Sequence, residues 1–144
     1  VAHLLGVVAW LGGALSVMSM TIAAARQPRD QLALLLRLQG AIVRGLVLPG
    51  AVTSVISGMM LTLSMYGQAS AVGMPRSLMI MQGTGILAAI VVLVVTVPTT
   101  ARVQRLDPMG EYGPLFDALR QRLKIAGMLA GMLGLIALVA SGMR

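Results

Sequence analysis

Few residues in this chain can do chemistry, and the first of them is His3. It is the one histidine among 144 residues, and there is no cysteine. Disulfides, thiolate metal sites and cysteine nucleophiles are thereby excluded, as is any site that needs two imidazoles from one chain. A single imidazole can still ligate haem iron or copper: a His/Met pair suits a haem, and thioethers beside an imidazole suit Cu(I). Of the 12 methionines, Met65, Met79 and Met81, with Met74 and Met143, are those that the topology derived below brings to the side of His3. The blander reading of the same residues is an interfacial histidine and flexible apolar filler. The four carboxylates, Asp30, Asp107, Glu111 and Asp117, all lie outside the apolar runs. No carboxylate or basic group lies at membrane depth, and neither a Glu-x-x-His pattern nor a phosphate-binding glycine loop is present. Proton-coupled transport and hydrolysis are therefore not expected, and no catalytic residue is assigned.

The elements that must position these residues follow from composition. Hydrophobic residues make up 58% of the chain and charged residues 10%, with a mean hydropathy of +0.92. Soluble domains carry about 25% charged residues, so most of this surface faces lipid or a partner. The net charge of +7 does not mark a nucleic-acid binder, because the basic residues sit between long apolar runs. Four runs reach the roughly 20 residues that a bilayer core demands. They are 1–25, 45–66, 77–100 and 125–143, and none contains Asp, Glu, Lys or Arg. The fold expected is an all-α membrane protein, a single domain of four transmembrane helices in a bundle. The first run is too long for a cleaved signal peptide, the competing reading. Val1 already stands inside that run, which leaves room for a natural start upstream.

Nine of the eleven basic residues fall on two connections. The first holds Arg26, Arg29, Arg37 and Arg44; the third holds Arg102, Arg105, Arg120, Arg122 and Lys124. The positive-inside rule places both connections in the cytoplasm and both termini outside. Arg26, Arg37, Arg44, Arg102, Arg120 and Lys124 are then membrane-surface residues that meet anionic headgroups. Each connection reads as an amphipathic helix. One begins at Pro28 and Asp30 and carries Leu32, Leu34, Leu35, Leu36 and Leu38; the other begins at Pro114, with Phe116, Leu119 and Leu123 at helical spacing. Such a helix either lies along the membrane surface or extends the span that follows it.

Pro49 is expected to kink the second span and Pro98 to end the third. Rows of small residues mark the faces on which helices pack in lipid. The second span has Gly50, Ser54 and Gly58, and the fourth has Gly127 and Gly131 with Gly134 nearby. The first has Ala9, Gly12, Gly13 and Ser16, and the third has Gly85 and Ala89. The two halves share one order of parts: a span, Ala-Arg, a basic amphipathic segment and a second span. This is a topological echo about an axis along the membrane normal.

One stretch is more specific. His3-Leu-Leu-Gly-Val-Val-Ala-Trp10-Leu-Gly12-Gly13 resembles the first helix of a group of small bacterial membrane proteins. The group comprises the membrane domain of copper-resistance export proteins, the membrane-bound protoporphyrinogen oxidase and a four-helix integral membrane family of unknown function. The chain is most similar to the last, in its length, in Val97-Pro98 and Arg102 at the end of the third span, and in a glycine-led fourth span ending near Met143. The resemblance implies an inner-membrane bundle whose first-helix histidine serves haem or copper. The oxidase-like relatives carry a basic residue in the third span, and 77–100 has none, which sets their activity apart from this chain.

The function expected is that of a non-catalytic, multi-pass protein of the bacterial inner membrane, an accessory or assembly subunit within a larger membrane complex. Its expected partners are lipid and other membrane subunits or its own copies, and not nucleic acid. That reading needs no cofactor. The alternative is a haem b- or copper-binding protein that uses His3 near the periplasmic face, with Met65, Met79 and Met81 as candidate ligands.

Overall fold

The computed structural model describes residues 1–67, 75–107 and 109–142. Among them every regular element is helical, and four helices are long and apolar enough to cross a membrane: α1 (Ala2–Ala24), α2 (Arg29–Tyr66), α3 (Arg76–Val103) and α4 (Gly113–Gly142). Met74, Met143 and Arg144 lie outside the described residues.

The 38 residues of α2 and the 30 of α4 make helices of about 57 and 45 Å at 1.5 Å per residue. Both exceed a hydrocarbon core of about 30 Å. The two amphipathic connections account for the surplus: neither is a separate helix, and each runs unbroken into the span that follows. Pro28 stands just before α2, and Pro114 sits in the first turn of α4, where a missing amide costs no hydrogen bond. The extension of α2 buries Leu32, Leu36, Gln39 and Val43 along one stripe, while Leu34 and Leu38 are exposed. That of α4 buries Phe116 and Leu123. These five apolar side chains follow helical periodicity, and leucine content alone does not.

Pro98 does not end α3, which continues to Val103. Instead α2 and α3 each contain one π-helical turn, Val43–Val47 and Val92–Thr96. The amide of Leu48 donates to the carbonyl of Val43, and that of Val97 to Val92, five residues back in each case. Each π turn begins six residues before a proline, Pro49 or Pro98. A proline ring presses on the carbonyl four residues earlier and gives that carbonyl no donor. A locally widened turn relieves both problems without breaking the helix.

Helices α1 and α2 pack antiparallel with their backbones in contact. A Cβ added to Gly6 would stand 2.8 Å from the Ser54 amide nitrogen and 3.1 Å from the Gly50 carbonyl oxygen. One added to Gly50 would stand 2.6 Å from the Trp10 nitrogen and 2.9 Å from the Gly6 oxygen. Further along, Gly13 faces Val47, and Gly58 faces the His3 ring. The expected row Gly50, Ser54 and Gly58 thus lies against α1, opposite His3, Gly6, Trp10 and Gly13.

Helices α3 and α4 form the second close pair, and there alanine takes the place of glycine. Ala88, Ala89 and Val92 of α3 are buried, as are Ala126 and Ala130 of α4. The expected contact row of α4 moves by one residue. Gly127 and Gly131 meet no other part of the chain within 4 Å, and Gly134 instead packs against Leu11 of α1. Ala126 and Ala130 are one residue earlier, about 100° round the helix, and that face is the one that points inward. Gly12 and Gly85 likewise meet nothing within 4 Å.

The interior has two centres. One joins Trp10, Val47, Ala51, Ala88, Ala89, Val92 and Ala130 from all four helices. The other, at the arginine-rich end, joins Ala24, Leu32, Leu36, Val103 and Phe116. Both π turns contribute to the first centre through Val47 and Val92.

Candidate functional site

His3 is held by α2. Its Nδ1 lies 2.9 Å from the carbonyl oxygen of Ser54 and 3.3 Å from Ser57 Oγ. A carbonyl only accepts, so Nδ1 carries a proton in this contact. Ser57 donates its own proton to the carbonyls of Thr53 and Ser54, which leaves its oxygen free to accept from the imidazole. Gly58 provides the room: a Cβ there would stand 3.1 Å from His3 Cε1. The ring is half-buried, and Nε2 has no hydrogen-bond partner among the described residues.

The polar chain continues one turn further along α2. Thr62 Oγ1 donates to the Gly58 carbonyl at 3.0 Å, and Gln82 Nε2 of α3 donates to Thr62 Oγ1. His3, Ser54, Ser57, Thr62 and Gln82 therefore line the contacts of α2 with its neighbours at the end opposite the arginines. Such interhelical hydrogen bonds hold helices together where no water competes for them.

The methionines expected beside His3 are not part of this chain of contacts. Met65 and Met79 are 73% and 44% exposed, on the outsides of α2 and α3, and Met81 is half-buried on α3. Met79 and Met81 are two residues apart, about 200° round one helix, so the two cannot present sulfur to one point. Among the described residues no group of three or more His, Asp or Glu side chains stands close enough to hold a metal ion.

At the other end, sequence reading missed two amides that fasten the helices. Gln39 is 3% exposed, and its Nε2 donates to Thr21 Oγ1 and to the Val17 carbonyl of α1. Gln104 Nε2 donates to the Leu36 and Arg37 carbonyls of α2, while its Oε1 accepts from Arg44 Nη2 at 3.0 Å. Gly40 makes this possible, because a Cβ there would fall 1.7 Å from Gln104 Nε2. A signal was available: each amide follows or ends a long apolar run, where an unpaired polar side chain is costly.

The surface cations are spread over this same end. Arg26, Arg37, Arg44, Arg102 and Lys124 are exposed and Arg120 is half-buried. Arg44 is fastened to Gly40 and Gln104. Arg120 and Lys124 border a small recess with Thr21 and Gln39. Arg29 pairs with Asp117 at 3.1 Å, linking the starts of α2 and α4.

No family model matches the chain, and neither a curated protein nor a solved structure does.

Proposed function

We propose that the chain is a four-helix bundle of the bacterial inner membrane, with the arginine-rich end cytoplasmic and both termini outside. Within it the protein serves as a non-catalytic accessory or assembly subunit of a larger membrane complex. The observation that carries this reading is the unused small-residue surface. A Cβ added to Gly12, Gly83, Gly127 or Gly131 would meet no neighbouring element among the described residues within 4 Å, while Ser16 and Ser19 are exposed on α1 and return their hydroxyls to their own helix. Lipid needs no such faces, and close approach of another helix does. Isolation in mild detergent tests it: a partner subunit or a second copy co-purifies, and Gly127→Leu with Gly131→Leu releases it. A monodisperse single chain, unchanged by those substitutions, overturns the reading.

One observation favours the second reading, a haem b or copper site. The Ser54 carbonyl fixes the Nδ1–H form of His3, and a backbone acceptor on one ring nitrogen is the arrangement that orients the other as a metal ligand. The chain supplies one donor in this way, and the remaining ligand comes from a partner. A Soret band or bound copper that disappears in His3→Ala supports it. The purified protein lacking both, with wild-type association, removes it.

A further inference from the structure

A cleft of about 260 Å³ opens at the arginine-rich end, between α2, the segment after α3 and the start of α4. Its walls differ in character. Half-buried Ala33 and Leu106 give an apolar side, backed by the buried core residues Leu36 and Phe116. Arg37, Arg105 and Asp107 give the polar side. Asp107 turns one carboxylate oxygen to the amide of Met109 at 2.9 Å, and the Arg29–Asp117 contact is the ion pair found among the described residues. Neither guanidinium of the cleft is therefore neutralised by a carboxylate among the described residues. Gln104 is also in the wall, but its amide is committed to Leu36, Arg37 and Arg44. Two free guanidinium groups and one carboxylate leave a net positive mouth over an apolar floor.

We infer that this cleft binds the phosphodiester of an anionic phospholipid, with the start of an acyl chain lying against Ala33 and Leu106. The inference rests on the reading that the helices cross a bilayer, and not on the accessory role. Arg37 lies about two turns beyond Arg44, the first charge past the second apolar run, which sets the cleft at headgroup level. Guanidinium groups pair phosphate oxygens through forked donors, and basic recesses between helix ends recognise anionic headgroups.

The experiment is lipid retention by the full chain, reconstituted in vesicles of phosphatidylcholine and phosphatidylglycerol and released into native mass spectrometry. Wild type retains phosphatidylglycerol preferentially. Arg37→Gln and Arg105→Gln each lower that retention about fivefold, the effect of one surface cation near an anionic leaflet. Arg122→Gln, on the same end but outside the cleft, leaves it unchanged. Ala33→Phe keeps every charge and fills the floor, and it lowers retention as the arginine variants do. Equal losses in Arg122→Gln and the two cleft variants mean diffuse attraction and overturn the site. Displacement of the lipid by millimolar inorganic phosphate also overturns it, in favour of a free-anion site. A protein that fails to insert into the vesicles at all refutes the membrane reading beneath it, and that outcome is separable from insertion without lipid preference.

Discussion

In the α1–α2 pair the small residues face inward: Gly6, Gly13, Gly50 and Ser54 let one backbone touch the other. In the α3–α4 pair Gly83, Gly85, Gly127 and Gly131 face away from the chain, and Ala88, Ala89, Ala126 and Ala130 occupy the contact. Gly50-x3-Ser54-x3-Gly58 and Gly127-x3-Gly131 are alike as sequence. The four-residue spacing defines a face of a helix, but hydrocarbon does not expel an apolar face as water would, so the pattern alone leaves its occupant open. The first pair has satisfied most of its small faces internally, though Gly12 and Gly45 stay open. The second pair leaves its glycines open.

The largest effect should come from breaking the inward face. Gly50→Ala forces Cβ onto two backbone atoms closer than 3.0 Å, and neither helix can yield locally. A loss of about 3 kcal/mol, at the upper end for overpacking, is expected in unfolding measured by steric trapping in bicelles. A result within the noise would mean that the two backbones are not in contact. Next comes Gly40→Ala, which drives Gln104 from its place. Losing its hydrogen bonds to Leu36, Arg37 and Arg44 should cost about 1–2 kcal/mol. The cost should vanish in a Gln104→Ala background, so a double-mutant cycle isolates this contact. His3→Ala is expected to cost about 1 kcal/mol through the hydrogen bond to Ser54, read in the same unfolding assay.

The outward face gives the contrasting result. Gly127→Ala should stabilise the isolated chain by up to about 1 kcal/mol, because alanine is the better helix former and the added Cβ meets nothing. Destabilisation in the isolated chain would erase the distinction between the two pairs. Asp117→Asn should change stability by about 0.5 kcal/mol or less, since both partners of its pair with Arg29 are more than half exposed.

The existence of the four long helices was legible because no charge interrupts any of the four runs, and an unpaired charge in hydrocarbon is costly enough to leave a clear trace. Their lengths were half legible. Leu32, Leu36, Phe116 and Leu123 announce amphipathic helices, but continuity with the following span depends on an unbroken backbone, which Arg37 and Arg44 conceal. Pro98 was misread as an end, because a proline shows in the sequence and a widened turn ahead of it does not. At the candidate site, His3 itself stood out as the one imidazole. Its main partner did not, because the Ser54 carbonyl is backbone and every residue has one. Gln104 and Gly40 were missed for a related reason: the fit of an amide against a bare Cα belongs to a pair of residues 64 apart in sequence.

The two π turns carry a consequence for insertions and deletions. Each holds one residue more than an α-helix would at that point, so α2 and α3 change phase in mid-course. Removing one residue from Val43–Val47 would leave composition and apolar length almost untouched. The turn can then close as an α-helical one, so Gly50, Ser54 and Gly58 stay under α1, whereas a deletion elsewhere in the helix would rotate everything beyond by about 100°. The same holds for Val92–Thr96 and whatever α3 presents on either side. Two short stretches of valine-rich chain are thus where each long helix can lose a residue and keep its alignment, a tolerance that substitution scanning passes over and single-codon deletion exposes.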